Sequence, residues 1–203
     1  MPSGPQTVRS ERTRAALREA ALQRFRSQGL EATSAEQVAQ DAGVTLRTFY
    51  RHFGSLKDLL FADYDSGLQW FRAALRGRPP GEPITASVRA SVFAFPYDMG
   101  AVSELARLRA YELDPEQLVA HLRRVEADVA GAIGEHMRGA LGAAASDLEV
   151  VLTARCLASA LFAAMDVWLS RDQRTLADLA ALSNAALDAV EHGVDDHGIF
   201  RHS

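Results

Sequence analysis

Arg47, Thr48, Tyr50 and Arg51 crowd into five consecutive positions near the start of a 203-residue chain. Guanidinium groups read guanine edges in a DNA major groove, and hydroxyls hold phosphate oxygens. For that chemistry the four side chains must stand on one side of a rod. Phe49 and Phe53, at i and i+4, mark a buried face of a short helix. At about 100° per residue, Arg47 and Arg51 then point away from it, with Thr48 and Tyr50 on the flanks and Leu46 near the boundary.

The residues before them supply what such a helix needs to be held. Ser34 with Gln37 three positions on forms a capping-box pattern and starts one helix. Val38 and Ala39 face inward, Ala39 being small enough for two helices to approach. Gly43 supplies the positive φ that a tight turn between crossing helices requires. Val44 re-enters the core, and Thr45 caps the helix that carries the four exposed side chains. The stretch from Thr33 to Lys57, TSAEQVAQDAGVTLRTFYRHFGSLK, therefore predicts a DNA-reading helix-turn-helix.

With those residues placed, AALQRFRSQGLEATSAEQVAQDAGVTLRTFYRHFGSLKDLL resembles the N-terminal domain of TetR-type transcriptional regulators, a likeness covering roughly residues 12 to 60. The resemblance implies that Thr33 and Tyr50 contact phosphates and that Leu46, Arg47 and Thr48 lie nearest the bases. The chain departs from the family in one place. After Phe-Gly-Ser the family has Lys at once, whereas here Leu56 intervenes and Lys57 follows, rotated by about 100°. Backbone N–H groups behind Ser55 are a second candidate holder of that phosphate. The expected DNA-contacting set is Thr33, Thr45, Leu46, Arg47, Thr48, Tyr50, Arg51 and Lys57.

Composition sets the wider bounds. The chain is 48% hydrophobic and 24% charged, as an ordinary globular protein is, with length for one large or two small cores. Its net charge of −4 is unevenly spread. Residues 1–58 carry nine basic and six acidic side chains, while the remainder carries 13 basic and 20 acidic, a pattern suited to a head that meets phosphate and a body that avoids it. Cys156 is the single cysteine and reads as a small core residue. No basic segment leads into an apolar one at the N-terminus, and the apolar run from Cys156 to Leu169 is interrupted by Asp166. The expectation is a cytoplasmic protein with no membrane partner.

Along the chain, residues 1–8 read as a disordered arm and residues 9–58 as the helix-turn-helix domain, its first helix showing Leu17, Ala21 and Phe25 on one stripe. Arg9, Arg12 and Arg14 either touch phosphate or form a solvated charge run. Residues 59–76 continue a connecting helix four opened by Ser55 and Asp58. The prolines of GRPPGEP, Gly77 to Pro83, mark the boundary to a C-terminal regulatory and dimerisation domain, residues 84–193, followed by a tail, 194–203. That domain predicts a short helix from Ile84 broken by Pro96, another over Ala101 to Leu113, and three long ones. These begin at Asp114-Pro115, at the capping box Ser146/Glu149, and at Thr175. The first of the three is expected to fray by Gly139, and the last ends at Gly193. No stretch has the period of a strand, so the fold class is all-α.

The helix from Ser146 to Leu169 is apolar almost all round and needs covering on more than one side. Pairing it and the last helix with their copies gives a homodimer through Leu157, Leu161, Leu169, Leu179, Leu182 and Val190; burial within one chain is the plainer alternative. An isologous dimer implies a palindromic double-stranded operator. Trp70, Phe71, Phe95, Tyr97, Tyr111, Met165 and Trp168 either line an apolar cavity for a small-molecule effector or fill a core. Arg155 and Asp166 lie about three turns apart, near one face, with three readings open: holding that ligand, pairing across the dimer or facing solvent. His192, His197 and His202 lack the spacing of a metal site, and no catalytic or cofactor motif is present, so no cofactor or metal is expected. The sequence thus predicts a dimeric, effector-responsive repressor of the TetR type. The rivals are a DNA-binding occlusion factor that senses nothing and, further off, an all-α enzyme.

Overall fold

The computed structural model describes residues 5–94, 105, 108, 109, 113–142, 146–171 and 175–193. Among these residues there are helices and no strands: α1 (Pro5–Gln28), α2 (Ala35–Asp41), α3 (Leu46–His52), α4 (Leu56–Leu59), α5 (Ala62–Arg76), α6 (Ile84–Phe93), α7 (Pro115–Leu141), α8 (Asp147–Leu169) and α9 (Leu176–His192). Contacts divide the chain into two compact units. The first is Met1–Asp63 with Arg107–Leu113, and the second is Tyr64–Ala106 with Asp114–Ser203.

In the first unit, Leu17, Ala21 and Phe25 of α1, Val38 and Ala39 of α2 and Phe49 of α3 are all buried, and α2 packs against both α1 and α3. A bidentate Arg24–Asp41 pair, at 2.5 and 2.9 Å, ties the end of α1 to the end of α2. Two expectations change here. Helix α1 starts at Pro5, ahead of Arg9, because proline at the first helical position gives up an N–H that would have no partner anyway. The helix expected to run unbroken from Ser55 to Arg76 is interrupted at Leu60 and Phe61. Their N–H groups bond to Lys57 and Asp58, tightening the end of α4 so that both side chains are buried.

In the second unit, α8 packs between α7 and α9. The core gathers Phe71 and Leu75 of α5, Val88 of α6, Ile133 of α7, Leu157 of α8 and Leu187 of α9. Arg89 of α6 reaches Asn184 and, at 2.5 Å, Asp188 of α9. Helix α7 does not fray at Gly139; it runs to Leu141 and closes at Gly142, φ 57°. Before that end it lies close on its neighbour, a side chain at Gly134 standing 3.6 Å from Val150 on α8. The helix expected over Ala101 to Leu113 lies mostly outside the described residues; of those described, Leu105, Leu108 and Arg109 are helical and buried.

Candidate nucleic-acid interface

Helix α3 has only seven residues, too few to persist alone, so its caps and its buried face must hold it. Thr45 Oγ1 accepts from the Thr48 N–H at 3.2 Å and lies 3.0 Å from the Thr48 hydroxyl. Upstream, Ser34 and Gln37 close the reciprocal capping box, and the turn passes through Gly43 at φ 67°. Phe49 is fully buried, with the Phe53 ring 6.1 Å away and the Tyr50 ring edge-on at 5.3 Å. The opposite side carries the side chains singled out for DNA. Thr45, Arg47, Tyr50, Arg51 and Lys57 are exposed; Leu46 and Thr48 are half-buried on its flanks.

Thr33 is placed differently from the expectation of a phosphate contact. It is 6% exposed, its hydroxyl donates to the Gly29 carbonyl at 2.8 Å, and it accepts from Gln28 Nε2. Closing the turn after α1 uses up its bonding. Beside the helix-four N–H groups behind Ser55 stands a carboxylate: Asp58 accepts from the N–H groups of Gly54 and Ser55 at 2.9 and 3.1 Å, and its own N–H donates to Ser55 Oγ. A phosphate there would compete with a carboxylate. Lys57, exposed on the next turn, is left as the cation of that corner.

The local electrostatics favour an anion opposite α3. Hydrogen bonding from Arg24 holds the Asp41 carboxyl below its ordinary range and keeps that acid paired. Burial, followed by the nearby charges of Arg51 and Arg14, lowers the pKa of His52. The Arg14 guanidinium lies 4.8 Å from the centroid of the Phe53 ring. His52 and the Arg24–Asp41 tie were not singled out in the sequence, because each depends on contacts between helices.

The C-terminal expectations divide. Phe71 is core, and Trp168 is 1% exposed with its indole N–H donating to the Thr175 carbonyl at 3.0 Å, so both serve packing. Met165 is half-buried, Trp70 and Asp166 are exposed, and Phe95, Tyr97 and Tyr111 lie outside the described residues. Of the described ones, Trp70, Phe71, Met165, Asp166 and Trp168, none lines the groove of about 440 Å³ between α7 and α8, which is bordered by Arg123, Arg138 and Arg155 over a floor of Gly134, Ala154 and Ala158. Among the residues expected to pair, Leu157 is fully buried in its own unit and cannot form the outer face. Leu161 and Val190 pack against that core, and Leu169, Leu179 and Leu182 are half-buried. The apolar side chains α8 exposes are Leu148, Val151, Leu152 and Val167, with Leu176 on α9. Cys156 is exposed rather than core. By length and composition alone α8 could also cross a membrane.

Known proteins decide the family. Residues 17–62 match the pattern described as bacterial regulatory proteins of the tetR family, and residues 82–195 match the MftR C-terminal domain. The HTH-type transcriptional regulator TcmR of Streptomyces glaucescens is 32% identical over 205 residues, 94% of this chain and 87% of that protein. The chain belongs to the TetR family. It is accordingly a DNA-binding transcriptional regulator and not an enzyme. Two solved TetR-fold structures superpose over most of its length. One is the Thermus thermophilus repressor FadR in complex with lauroyl-CoA: TM-score 0.53, 21% identity, covering 89% of this chain and 94% of that one. The other is a SmeT–triclosan complex: TM-score 0.54, 17% identity, covering 89% and 90%.

Proposed function

We propose that this TetR-family regulator is a cytoplasmic homodimeric repressor that occupies a palindromic operator and is released when a small apolar or amphipathic ligand binds its C-terminal unit. The observation that carries the DNA half of this reading is α3 itself: one face closed by fully buried Phe49, the other presenting Arg47, Tyr50 and Arg51 to solvent. The exposed Leu148, Val151, Leu152 and Val167 of α8 support pairing, since a second copy would cover them around a two-fold axis. Two-fold pairing in turn requires two half-sites related by the same symmetry. The ligand half draws on the shared fold: FadR was solved with lauroyl-CoA and SmeT with triclosan.

The test is protection mapping of DNA flanking the coding region, followed by competition on the protected duplex with long-chain acyl-CoA thioesters and chlorinated phenols. Release by either supports the reading. Operator binding unchanged by any compound that demonstrably binds the protein would favour the occlusion factor. Within the head, Arg47→Ala should lower discrimination at one base position by about 1–3 kcal/mol, whereas Tyr50→Phe should weaken all sequences alike. Equal losses on operator and random DNA for Arg47→Ala would make that arginine a phosphate contact.

A further inference from the structure

The groove between α7 and α8 lies wholly within the second unit and opens to solvent, its bordering Arg123, Gly131, Arg138, Val151 and Arg155 all being exposed. At about 440 Å³ it falls within the range of roughly 300–1,000 Å³ usual for small-molecule sites. At Gly134 an added side chain would stand 3.6 Å from Val150 and 3.8 Å from Ala154, so that glycine lets the two helices close up. Gly131, a turn earlier on the same face, has no such duty. A side chain there would meet nothing within 4 Å, and its backbone is not left-handed. Glycine in mid-helix costs stability that alanine or leucine would not. What Gly131 leaves is depth: with Ala127, Ala130 and Ala158 it keeps an apolar trough open.

The charges of the groove run against their surroundings. From residue 59 onward the chain carries 13 basic and 20 acidic side chains, yet three arginines and one acid, Glu126, border the groove. That carboxylate is engaged across the groove by Ser159 Oγ at 2.5 Å. The Arg138 guanidinium folds back over the floor, its Nη1 3.5 Å from where a side chain at Gly134 would stand. Its pairing with Asp147 is loose, at 4.0 Å, with the aspartate side chain 99% exposed. Arg123 and Arg138 stand roughly 22 Å apart along α7, and Arg155 faces them from α8, so positive charge follows the length of the trough.

We propose that this groove binds an elongated amphipathic anion, its alkyl chain laid on the floor of small residues and its carboxylate or phosphate group held by the bordering arginines. The inference rests on, and deepens, the reading of the second unit as the half that takes a ligand. Both parts of the ligand follow from the site. Guanidinium groups match carboxylate and phosphate with paired donors, and an alkyl chain gains by leaving water for a trough of Ala, Gly and Val. A second copy of the chain is the rival occupant, because Val151 and Arg155 also stand on the outer stripe of α8. A helix with its side chains is about 10–12 Å across, however, and α7 and α8 approach so closely at Gly134 that the furrow between them suits a chain of methylenes better.

The full-length protein is titrated by calorimetry with dodecanoate, dodecyl phosphate, dodecanol and inorganic phosphate, the amphiphiles kept below micelle-forming concentrations. We expect both amphipathic anions to bind, with dodecanol and inorganic phosphate at least about tenfold weaker. Octanoate should be more than about tenfold weaker than dodecanoate, since each methylene withdrawn from the floor costs up to about fourfold. Gly131→Leu fills the trough and puts a better helix former at an exposed position, so its fold is not at risk. It should weaken dodecanoate at least about tenfold, as should Arg123→Gln combined with Arg138→Gln. Circular dichroism and sedimentation check fold and oligomeric state. Binding by Gly131→Leu within about twofold of wild type, equal affinity for dodecanol, or binding of neither anion overturns the assignment. A Gly131→Leu protein that loses its oligomeric state together with the ligand makes the groove a seat for a second copy, and overturns it too. Each compound that binds is then scored for release of the protected duplex. Release that Gly131→Leu does not diminish refutes this site and leaves the effector reading standing; dodecanoate held in the groove without release does the reverse.

Discussion

Phe49→Ala tests whether the reading head is an independent folding unit with a narrow margin. Phe49 is fully buried, with aromatic neighbours at 5.3 and 6.1 Å, so truncation removes a whole ring and leaves a cavity that Tyr50 and Phe53 cannot both collapse into. Such a change costs about 3–5 kcal/mol. A core of this size rarely supplies more than about 3–5 kcal/mol in total, so the variant head should be unfolded or nearly so at 25 °C. The second unit has its own core, from Phe71 to Leu187, and should keep its protection. Amide exchange with peptide-level readout on the full chain distinguishes the units. We expect α1 to α4 to lose protection while α7, α8 and α9 retain it. Arg109, distant in sequence, should open with the head because its partners Leu60 and Asp63 lie there. Uniform loss over both units, or protected α2 and α3 in the variant, would show that contact grouping does not describe the cooperative units.

Three further outcomes follow from single contacts. Thr45→Ala removes the acceptor for the Thr48 N–H and should lower head stability by about 1 kcal/mol, read as a shift in the midpoint of chemical unfolding; an unchanged midpoint would mean that packing alone holds α3. Glu82, hydrogen-bonded first by Arg78 and then by Ser87, has its pKa lowered to about 2 from 4.5. Its folded-state pKa is the lower one, so the stability it contributes is complete above about pH 4.5 and is lost as pH falls toward about 2; exchange at the α5–α6 connection should follow that window in the wild type and not in Glu82→Gln. Leu152→Glu, at a side chain 58% exposed, should convert the sedimenting species to monomer without unfolding it, and a dimer that survives would place the pairing surface elsewhere.

What could be read from the sequence was local. The box of Ser34 and Gln37, the positive φ at Gly43, the Thr45 cap and the Phe49/Phe53 stripe each depend on residues within four positions of one another, and the structure has all of them. The features that escaped depend on distant partners. The break after Leu59 is bound up with a carbonyl met by Arg109, 49 residues away. Thr33 is a different case: the family resemblance implies a phosphate contact, while its hydroxyl donates to the Gly29 carbonyl four residues back, a bond set by a turn whose shape the sequence does not specify. On α8 the difficulty was symmetry. With apolar residues on nearly every side, periodicity could not say whether Leu157 or Leu152 faced inward, and only packing between α7 and α9 resolves it in favour of Leu157.

That same outer face of α8 also decides what should cover it. Its length and composition would suit a lipid bilayer as well as a protein partner. Arg155 and Asp166, however, are exposed together with Val151, Leu152 and Val167. Each charge held at the middle of a membrane-spanning helix costs about 2.5–3.5 kcal/mol, and Arg155 lies nine residues into a helix of 23, too deep to reach a headgroup without cost. A protein surface can accept both groups by offering opposite charges or bound water while still covering the leucines and valines. A self-complementary interface does so most simply, because the same helix that brings an arginine to the axis brings an aspartate three turns along it. The exposed stripe of α8 is therefore better matched to a second copy of this regulator than to lipid, and Leu152→Glu is the substitution that asks the question directly.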